Sequence, residues 1–287
     1  MLLLNTEQLS SLQDRLLMDM PQSIKVYGAL QIICKGNPFK LEVLVDSWPD
    51  FKTVLCCPRK DGREDSLDDE YLNGYTLFTK EPSSAKNILM EMDVIDWNHV
   101  LRLEGLQLCM EEVIQEVASS KNVRLECYAN TSKTFLKEQP CDLPDNLKPE
   151  SDNGGKVSFL EVHHADVVNT AWKYGGSQGS LRFVKRCLSH LPSFCLLDVY
   201  GNPISWMMMD QFCTIRNVYT LQKERGKGHS KHLVALFTHT LHHLGYPIYC
   251  HTDEGNIAAE KLFQSLKFTD IPFSPLWLRS IPLAKEK

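Results

Sequence analysis

Apolar and polar positions change period several times along this chain. From Glu7 to Met18 leucines recur three and four residues apart, the spacing of an amphipathic helix. Short runs then read as strands: Lys25 to Leu30, Leu41 to Asp46 and Lys52 to Cys56. Glu81 to Met92 and Leu106 to Ala118 return to helical spacing, and Val123 to Tyr128 alternates again. Strands interleaved with helices predict an α/β (α+β layered) fold rather than a bundle.

The second half has a sharper pattern. Leu160 to Trp172 and Ser180 to Leu191 predict helices. Cys195 to Val199 and Ile204 to Met209 flank Tyr200-Gly201-Asn202-Pro203, a β-hairpin signature. A third strand covers about Ile215 to Leu221. The turn Arg225-Gly226-Lys227-Gly228-His229-Ser230-Lys231 follows. It enters a helix with Leu233, Val234, Phe237, Leu241 and Leu244 on one face. Pro247 to Cys250 reads as a strand, Asn256 to Leu266 as a helix, and a final strand pair is expected between Phe268 and Pro282. Between the halves, Pro140 to Lys156 is polar and rich in Pro and Gly. The expected organisation is an accessory α/β domain over 1–144, a linker over 145–156 and a second domain over 157–287.

Composition narrows the class without naming a function. In 287 residues, hydrophobic positions make up 43% and charged positions 23%, ordinary values for a globular protein. A net charge of −5 argues against a general nucleic-acid binder. No apolar run is long enough to cross a bilayer. The N-terminus has neither the pattern of a secretory signal nor an evident cleaved presequence. The 10 cysteines are scattered, apart from Cys56-Cys57, and most lie in apolar runs, so buried thiols are expected rather than disulfides or zinc.

The glycine turn carries the chemistry. A helix that starts without side-chain partners leaves several N–H groups pointing at one spot, and the macrodipole adds partial positive charge. Arg225, Lys227 and Lys231 add full charges. Such a junction suits phosphate. The spacing differs from the P-loop and from Gly-x-Gly-x-x-Gly. Read as Arg-x-x-Gly-x-small, with Arg225, Gly228 and Ser230 at its fixed positions, it resembles the pyrophosphate signature of the GNAT acyl-CoA N-acyltransferase superfamily. The sixth position there is usually Gly or Ala, so Ser230 departs from it. A second motif of that superfamily resembles Asn256 to Phe268, with Asn256, Ala259 and Phe268 in register. The order hairpin, strand, turn, helix, strand, helix, strand is that of the GNAT fold. The resemblance implies a GNAT fold in the second half. It also implies coenzyme A contacts at Arg225, Gly226, Lys227, Gly228, His229, Ser230 and Asn256.

Longer blocks resemble the glycine N-acyltransferases and their like proteins. They include Lys25-Val26-Tyr27-Gly28, Val45-Asp46-Ser47-Trp48-Pro49-Asp50-Phe51, Gly201-Asn202-Pro203-Ile204-Ser205-Trp206 and Met209-Asp210-Gln211. The resemblance covers nearly the whole chain. It implies transfer of an acyl group from acyl-CoA, a co-substrate rather than a resident cofactor, to the amino group of glycine or another amino acid. It also implies a first half that is a degenerate GNAT-like or accessory domain. Small-molecule substrates, no nucleic acid, no metal and a monomer are expected, in a mitochondrial or cytoplasmic setting. Two positions depart from the relatives. The base glutamate that follows Met-Asp-Gln there is Thr214 here, and the acid tyrosine of the second motif is Phe263. These departures leave open a weakly active or non-catalytic acyl-CoA-binding module. His251, at the end of a strand with Asp253 two residues on, is the remaining base candidate, though its position reads better as a plain strand-end residue in a turn. Glu224 is a weaker one. His239 and His243 share metal-ligand spacing but read better as a solvated helix face. Met207-Met208-Met209 suits either an acyl pocket or plain core.

Overall fold

The computed structural model describes residues 1–59, 69–91, 94–129, 131–142 and 155–283. The expected linker falls outside these residues except at 155–156. In chain order the helices are α1 Thr6–Leu17, α2 Ile24–Cys34, α3 Pro82–Glu91, α4 Glu111–Lys121, α5 Ala165–Ala171, α6 Gln178–His190, α7 His229–His243 and α8 Ile257–Ser265. The strands of the first half are β1 Leu2–Leu3, β2 Leu41–Val45, β3 Thr53–Pro58, β4 Gly74–Thr79, β5 Leu101–Leu106, β6 Val123–Cys127 and β7 Thr131–Lys137. Those of the second half are β8 Lys156–Ser158, β9 Ser193–Leu197, β10 Pro203–Met209, β11 Thr214–Thr220, β12 Ile248–Asp253, β13 Thr269–Ile271 and β14 Leu276–Pro282.

Two compact units result, one of residues 1–133 with 272–287 and one of residues 134–271. Each holds one seven-stranded sheet, ordered β1-β2-β3-β4-β5-β14-β6 in the first and β13-β7-β12-β11-β10-β9-β8 in the second. Both sheets combine antiparallel pairs with one parallel pair, β4 beside β5 and β11 beside β12. Read from β1 and from β8, the two orders match position for position. The first unit therefore repeats the sheet topology of the second.

This division corrects the expected domain boundaries. β7 precedes the linker yet lies in the second sheet, paired with β13. β14 comes last yet lies in the first sheet, paired on one side with β5 and on the other with β6. The expected final strand pair, β13 and β14, thus exists as two strands in different sheets. A strand's alternation records which face is buried, not which neighbour it bonds, so partner choice at this separation is not written locally.

A second correction concerns Lys25 to Leu30, expected as a strand and folded inside α2. Ile24, Val26, Ala29, Leu30 and Ile32 are all buried, and so is Lys25. A helix covered nearly all round lacks the polar face that reveals its period. Gly105 on β5 makes room for it. A Cβ there would stand 2.6 Å from Lys25 Cγ, and the φ of +70° already favours glycine. β4 and β5 are additional strands, buried along their whole length. β5 buries Arg102 because its guanidinium bonds Glu70 at 3.0 Å and lies over the rings of Tyr71 and Tyr128. Tyr75, Leu89, Trp97, Leu103 and Ile114 join β4, β5, α3 and α4 into the core of this unit.

Trp277 anchors β14 in the first unit. It is 5% exposed, with the Lys25 ammonium 4.5 Å above its ring and Tyr128 edge-on at 6.2 Å. Trp277→Ala should lower stability by about 3–5 kcal/mol, read as an earlier midpoint in urea unfolding. A midpoint equal to that of the parent chain would show that β14 does not hold this unit together.

Candidate functional site

The second sheet opens in its middle. β11 and β12 pair in parallel at Thr214 with Tyr249 and at Ile215 with Cys250, and no further register follows. Against β10, β11 carries a bulge. Trp206 faces Tyr219 and Met208 faces Arg216, so one residue between the β10 pair opposes two on β11. Asn217 takes a left-handed φ of 53° to make it. A bulge beside a parting pair of strands leaves a slot in the sheet, walled by β11 and β12.

The glycine turn closes one end of the slot. Gly226 and Gly228 both have φ of +80°, and a Cβ at either would meet nothing within 4 Å. Their need is conformational, and the space beside them is open. Gly228 is the N-cap of α7 and gives it no side-chain hydrogen bond. The first-turn N–H groups of His229, Ser230 and Lys231 therefore have no intrahelical acceptor, at the positive end of a 15-residue helix. The serine in place of a smaller residue has a definite role. Ser230 Oγ lies 2.7 Å from Thr220 Oγ1, which lies 2.8 Å from Ser205 Oγ, so a chain of hydroxyls ties the helix start to β11 and β10.

A cavity of about 670 Å³ lies over this turn. Arg225, Gly226, Gly228, His229, Ser230 and Lys231 line one end, and Val218, Tyr219 and Thr220 of β11 line its side. Asn256, Ala258, Ala259, Leu262 and Phe263 of α8 and its cap close the other. The cavity thus runs from cationic to apolar. Arg225 donates from Nε to the Thr220 carbonyl at 3.1 Å and lies 5.5 Å over Tyr219. Lys227 donates to Glu224 at 2.7 Å, which holds the Glu224 carboxyl below its ordinary value. His229 Nε2 stands 3.8 Å from that carboxylate. Burial, with His229 nearby, pushes His232 down. Asn256 caps α8 by accepting from the Ala259 N–H at 3.2 Å.

The two departing positions have structural explanations. Thr214 is buried, donates its N–H to Asp210 Oδ1 at 2.9 Å, and donates its hydroxyl to the Tyr249 hydroxyl at 3.2 Å. Tyr249 in turn donates to the Phe212 carbonyl. Phe263 stacks on Phe135 at 5.9 Å and meets Phe268 edge-on at 5.1 Å. Neither has a proton to move at neutral pH. His251 follows the last paired residue of β12, on the face shared with Tyr249. Its Nδ1 lies 2.9 Å from Thr134 Oγ1, and its ring meets Tyr249 edge-on at 5.6 Å. It sits beside the parted strands rather than in the wall of the cavity. Glu224 does line the cavity, but its carboxylate is taken by Lys227.

Of the other features, Met207, Met208 and Met209 are all fully buried in β10. The His239 ring bonds the Cys141 carbonyl. Among the described residues no three His, Cys, Asp or Glu side chains cluster as metal ligands, and no helix is long and apolar enough to cross a membrane. Of the residues lining the cavity, Val218, Tyr219, Thr220 and Leu262 carried no signal of their own in the sequence. The first three end β11, separated from Arg225 by Leu221 and a short 3-10 turn, and Leu262 lies one α8 turn beyond Ala258, inside the second motif.

Comparison with known proteins agrees with this geometry. An X-ray structure of a Drosophila protein shares the fold with a TM-score of 0.79 at 15% identity, covering 99% of each chain. A GCN5-related N-acetyltransferase from Kribbella flavida aligns over 93% of this chain and 97% of its own, with a TM-score of 0.50 at 10% identity. Both likenesses concern the fold. Sequence goes further. The aralkyl acyl-CoA:amino acid N-acyltransferase family matches residues 1–192, and the C-terminal region of that family matches residues 194–278. Glycine N-phenylacetyltransferase of Bos taurus is 37% identical, over 92% of this chain and 93% of its own. Human glycine N-acyltransferase is 34% identical, over 96% and 97%. The chain belongs to the aralkyl acyl-CoA:amino acid N-acyltransferase family. It is an enzyme that moves an acyl group from acyl-CoA to the nitrogen of an amino acid.

Thr214 is buried and bonds the Tyr249 hydroxyl, so a longer charged side chain there should crowd its neighbours. Thr214→Glu should destabilise the second unit by about 1–3 kcal/mol through overpacking, more if the carboxylate stays ionised. Thermal unfolding measures this. An unchanged midpoint would mean that the pocket around Thr214 has room for a carboxylate.

Proposed function

We propose that acyl-CoA binds with its pyrophosphate on the first turn of α7 and its thioester in the slot between β11 and β12, and that glycine is the acceptor. The observation that carries this reading is the helix start at Gly228, without a side-chain cap, opening into the 670 Å³ cavity. Phosphate oxygens would complete the first-turn N–H groups, and Arg225 and Lys231 would add charge. The apolar end, with Leu262 and Phe263, suits the pantetheine arm. Glycine as acceptor rests on the relatives whose names carry it.

The first unit provides an internal contrast. There the two strands of the parallel pair, β4 and β5, are bridged by Gln107. Its side-chain amide accepts from the Thr79 N–H at 2.7 Å and donates to the Thr79 carbonyl at 3.0 Å. The helix that follows β4 starts at Glu81-Pro82-Ser83-Ser84, without a glycine. The bridged slot and a helix start without a glycine turn support a reading in which one acyl-CoA binds each chain.

In this reading the neutral amine attacks the thioester carbonyl, the C–N bond forms, and the C–S bond breaks from a tetrahedral oxyanion. Holding the amine and the thioester in line supplies much of the acceleration. His251 takes the proton released by the attacking nitrogen and returns one to the departing thiolate. Thr134 orients the ring by bonding Nδ1. A second reading, favoured by the inert side chains at Thr214 and Phe263, is a protein that holds acyl-CoA and turns it over slowly.

One substitution tests the phosphate site common to both readings, and a second tests the base that distinguishes them. Gly228→Val places a branched side chain at a φ of +80° and in the phosphate space, so calorimetry should find coenzyme A binding lost in a protein that still folds. Unchanged affinity would remove the phosphate assignment. His251→Asn should reduce turnover by about 10²–10⁴-fold while leaving coenzyme A binding intact. A His251→Asn protein that transfers at the parental rate would move the base elsewhere. Binding without turnover in the parent chain would favour the second reading.

A further inference from the structure

The loop between α5 and α6 reaches both walls of the slot. Trp172 lies under the Arg216 guanidinium of β11, at 5.2 Å. Lys173 and Tyr174 both bond Asp253 at the end of β12, at 2.8 Å and 2.7 Å. Arg216 and His251 are the residues that directly follow the last paired register of these strands. The three consecutive side chains therefore roof the place where the sheet parts, on the face that carries His251. The loop is held in this shape from below. Asn169 is buried and its Oδ1 accepts the Gly176 N–H at 3.2 Å. A Cβ on Gly175 would fall 2.1 Å from the Asn169 carbonyl, and Gly176 has a φ of +90°.

The charges on this roof match those of an amino acid. Arg216 is committed: its Nη1 bonds the fully buried Asp210 at 3.0 Å, and its plane lies against Trp172 and Phe183. The Lys173–Asp253 pair is open by comparison, with the lysine side chain 67% exposed. Both protein donors meet one carboxylate oxygen, Oδ2. An ammonium has three donors, and a carboxylate has a second oxygen, so each partner can take on a further ion. The hydrogen bond to Asp253, followed by that from Tyr174, raises the Lys173 pKa, which keeps the cation in place.

We propose that the Lys173–Asp253 pair is the acceptor subsite, with Lys173 reading the carboxylate of the incoming amino acid and Asp253 receiving its ammonium. This rests on the reading of the chain as an acyl-CoA:amino acid transferase with its reacting centre in the slot. Asp253 and His251 are two residues apart on one strand face, about 6.6 Å along the chain. The ammonium is thus delivered beside the imidazole that takes its proton. Lys173 is a specificity residue in this scheme: it selects acceptors that carry an anion next to the amine.

The test compares glycine with glycinamide, which lacks the carboxylate, at one pH and with one acyl-CoA. In the parent chain and in Lys173→Met, the ratio of kcat/KM for glycine to that for glycinamide is measured. The ratio should fall about tenfold to a hundredfold in Lys173→Met, through KM for glycine, with KM for acyl-CoA unchanged. Lys173→Arg should restore most of it. An unchanged ratio, or an equal loss for both acceptors, overturns the assignment of Lys173 while leaving the transferase reading intact. A parent chain that acylates neither acceptor counts against the transferase reading instead. In that event calorimetry with an N-acylglycine in the presence of coenzyme A still decides the subsite. Binding at least tenfold weaker in Lys173→Met supports it, and equal binding in the two proteins rejects it.

Discussion

The parting of β11 from β12 after two paired residues is the constraint on which the rest of the site depends. A parallel pair that stayed closed would bury its main-chain groups in a continuous ladder and leave no slot. The bulge at Asn217 and the short register at Thr214 and Ile215 open it instead. The strand walls then lead to a helix start whose N–H groups lack internal partners. Each feature is unfavourable in isolation, since open ladders and uncapped helices leave polar groups unsatisfied. Together they point at one volume, and in the proposed reading a ligand with phosphates and an amide-bearing arm would satisfy both.

The two units show how little separates a working slot from a closed one. Their sheets share one strand order and one parallel pair in the same place. In the first unit Gln107 fills the role of a missing ladder residue by bonding both main-chain groups of Thr79. Its following helix begins with an acid, Glu81, that pairs with Lys52. Buried Lys25, Arg102 and Trp277 then give that unit a packed interior built on cation–ring contacts. The architecture is retained while the groups that face the slot differ.

The site was legible where its physics is local. Gly226 and Gly228 announce positive φ, the residues after them announce a helix, and the apolar face from Leu233 to Leu241 packs as its spacing implies. The element order of the second half followed from the same local signals. What the chain did not reveal is long-range. β7 and β14 look like ordinary strands, and only the folded sheets show which neighbours they take. Helix α2 hid its period because it has almost no exposed face. Lys173 and Asp253 stand 80 positions apart, and neither belongs to a motif. The tie between Thr214 and Tyr249 spans 35 positions, so the absence of a carboxylate at Thr214 was visible while its packing was not.

The central claim is that one acyl-CoA binds the first turn of α7 and that the first unit takes none. Hydrogen exchange read by mass spectrometry, with and without coenzyme A, addresses both halves of it. Helix-start amides exchange rapidly when they have no acceptor. The account predicts that coenzyme A slows exchange over Gly226 to Lys231 and leaves the start of α3, around Pro82 to Ala85, unchanged. Protection at the start of α3, or none over Gly226 to Lys231 at saturating coenzyme A, would contradict it.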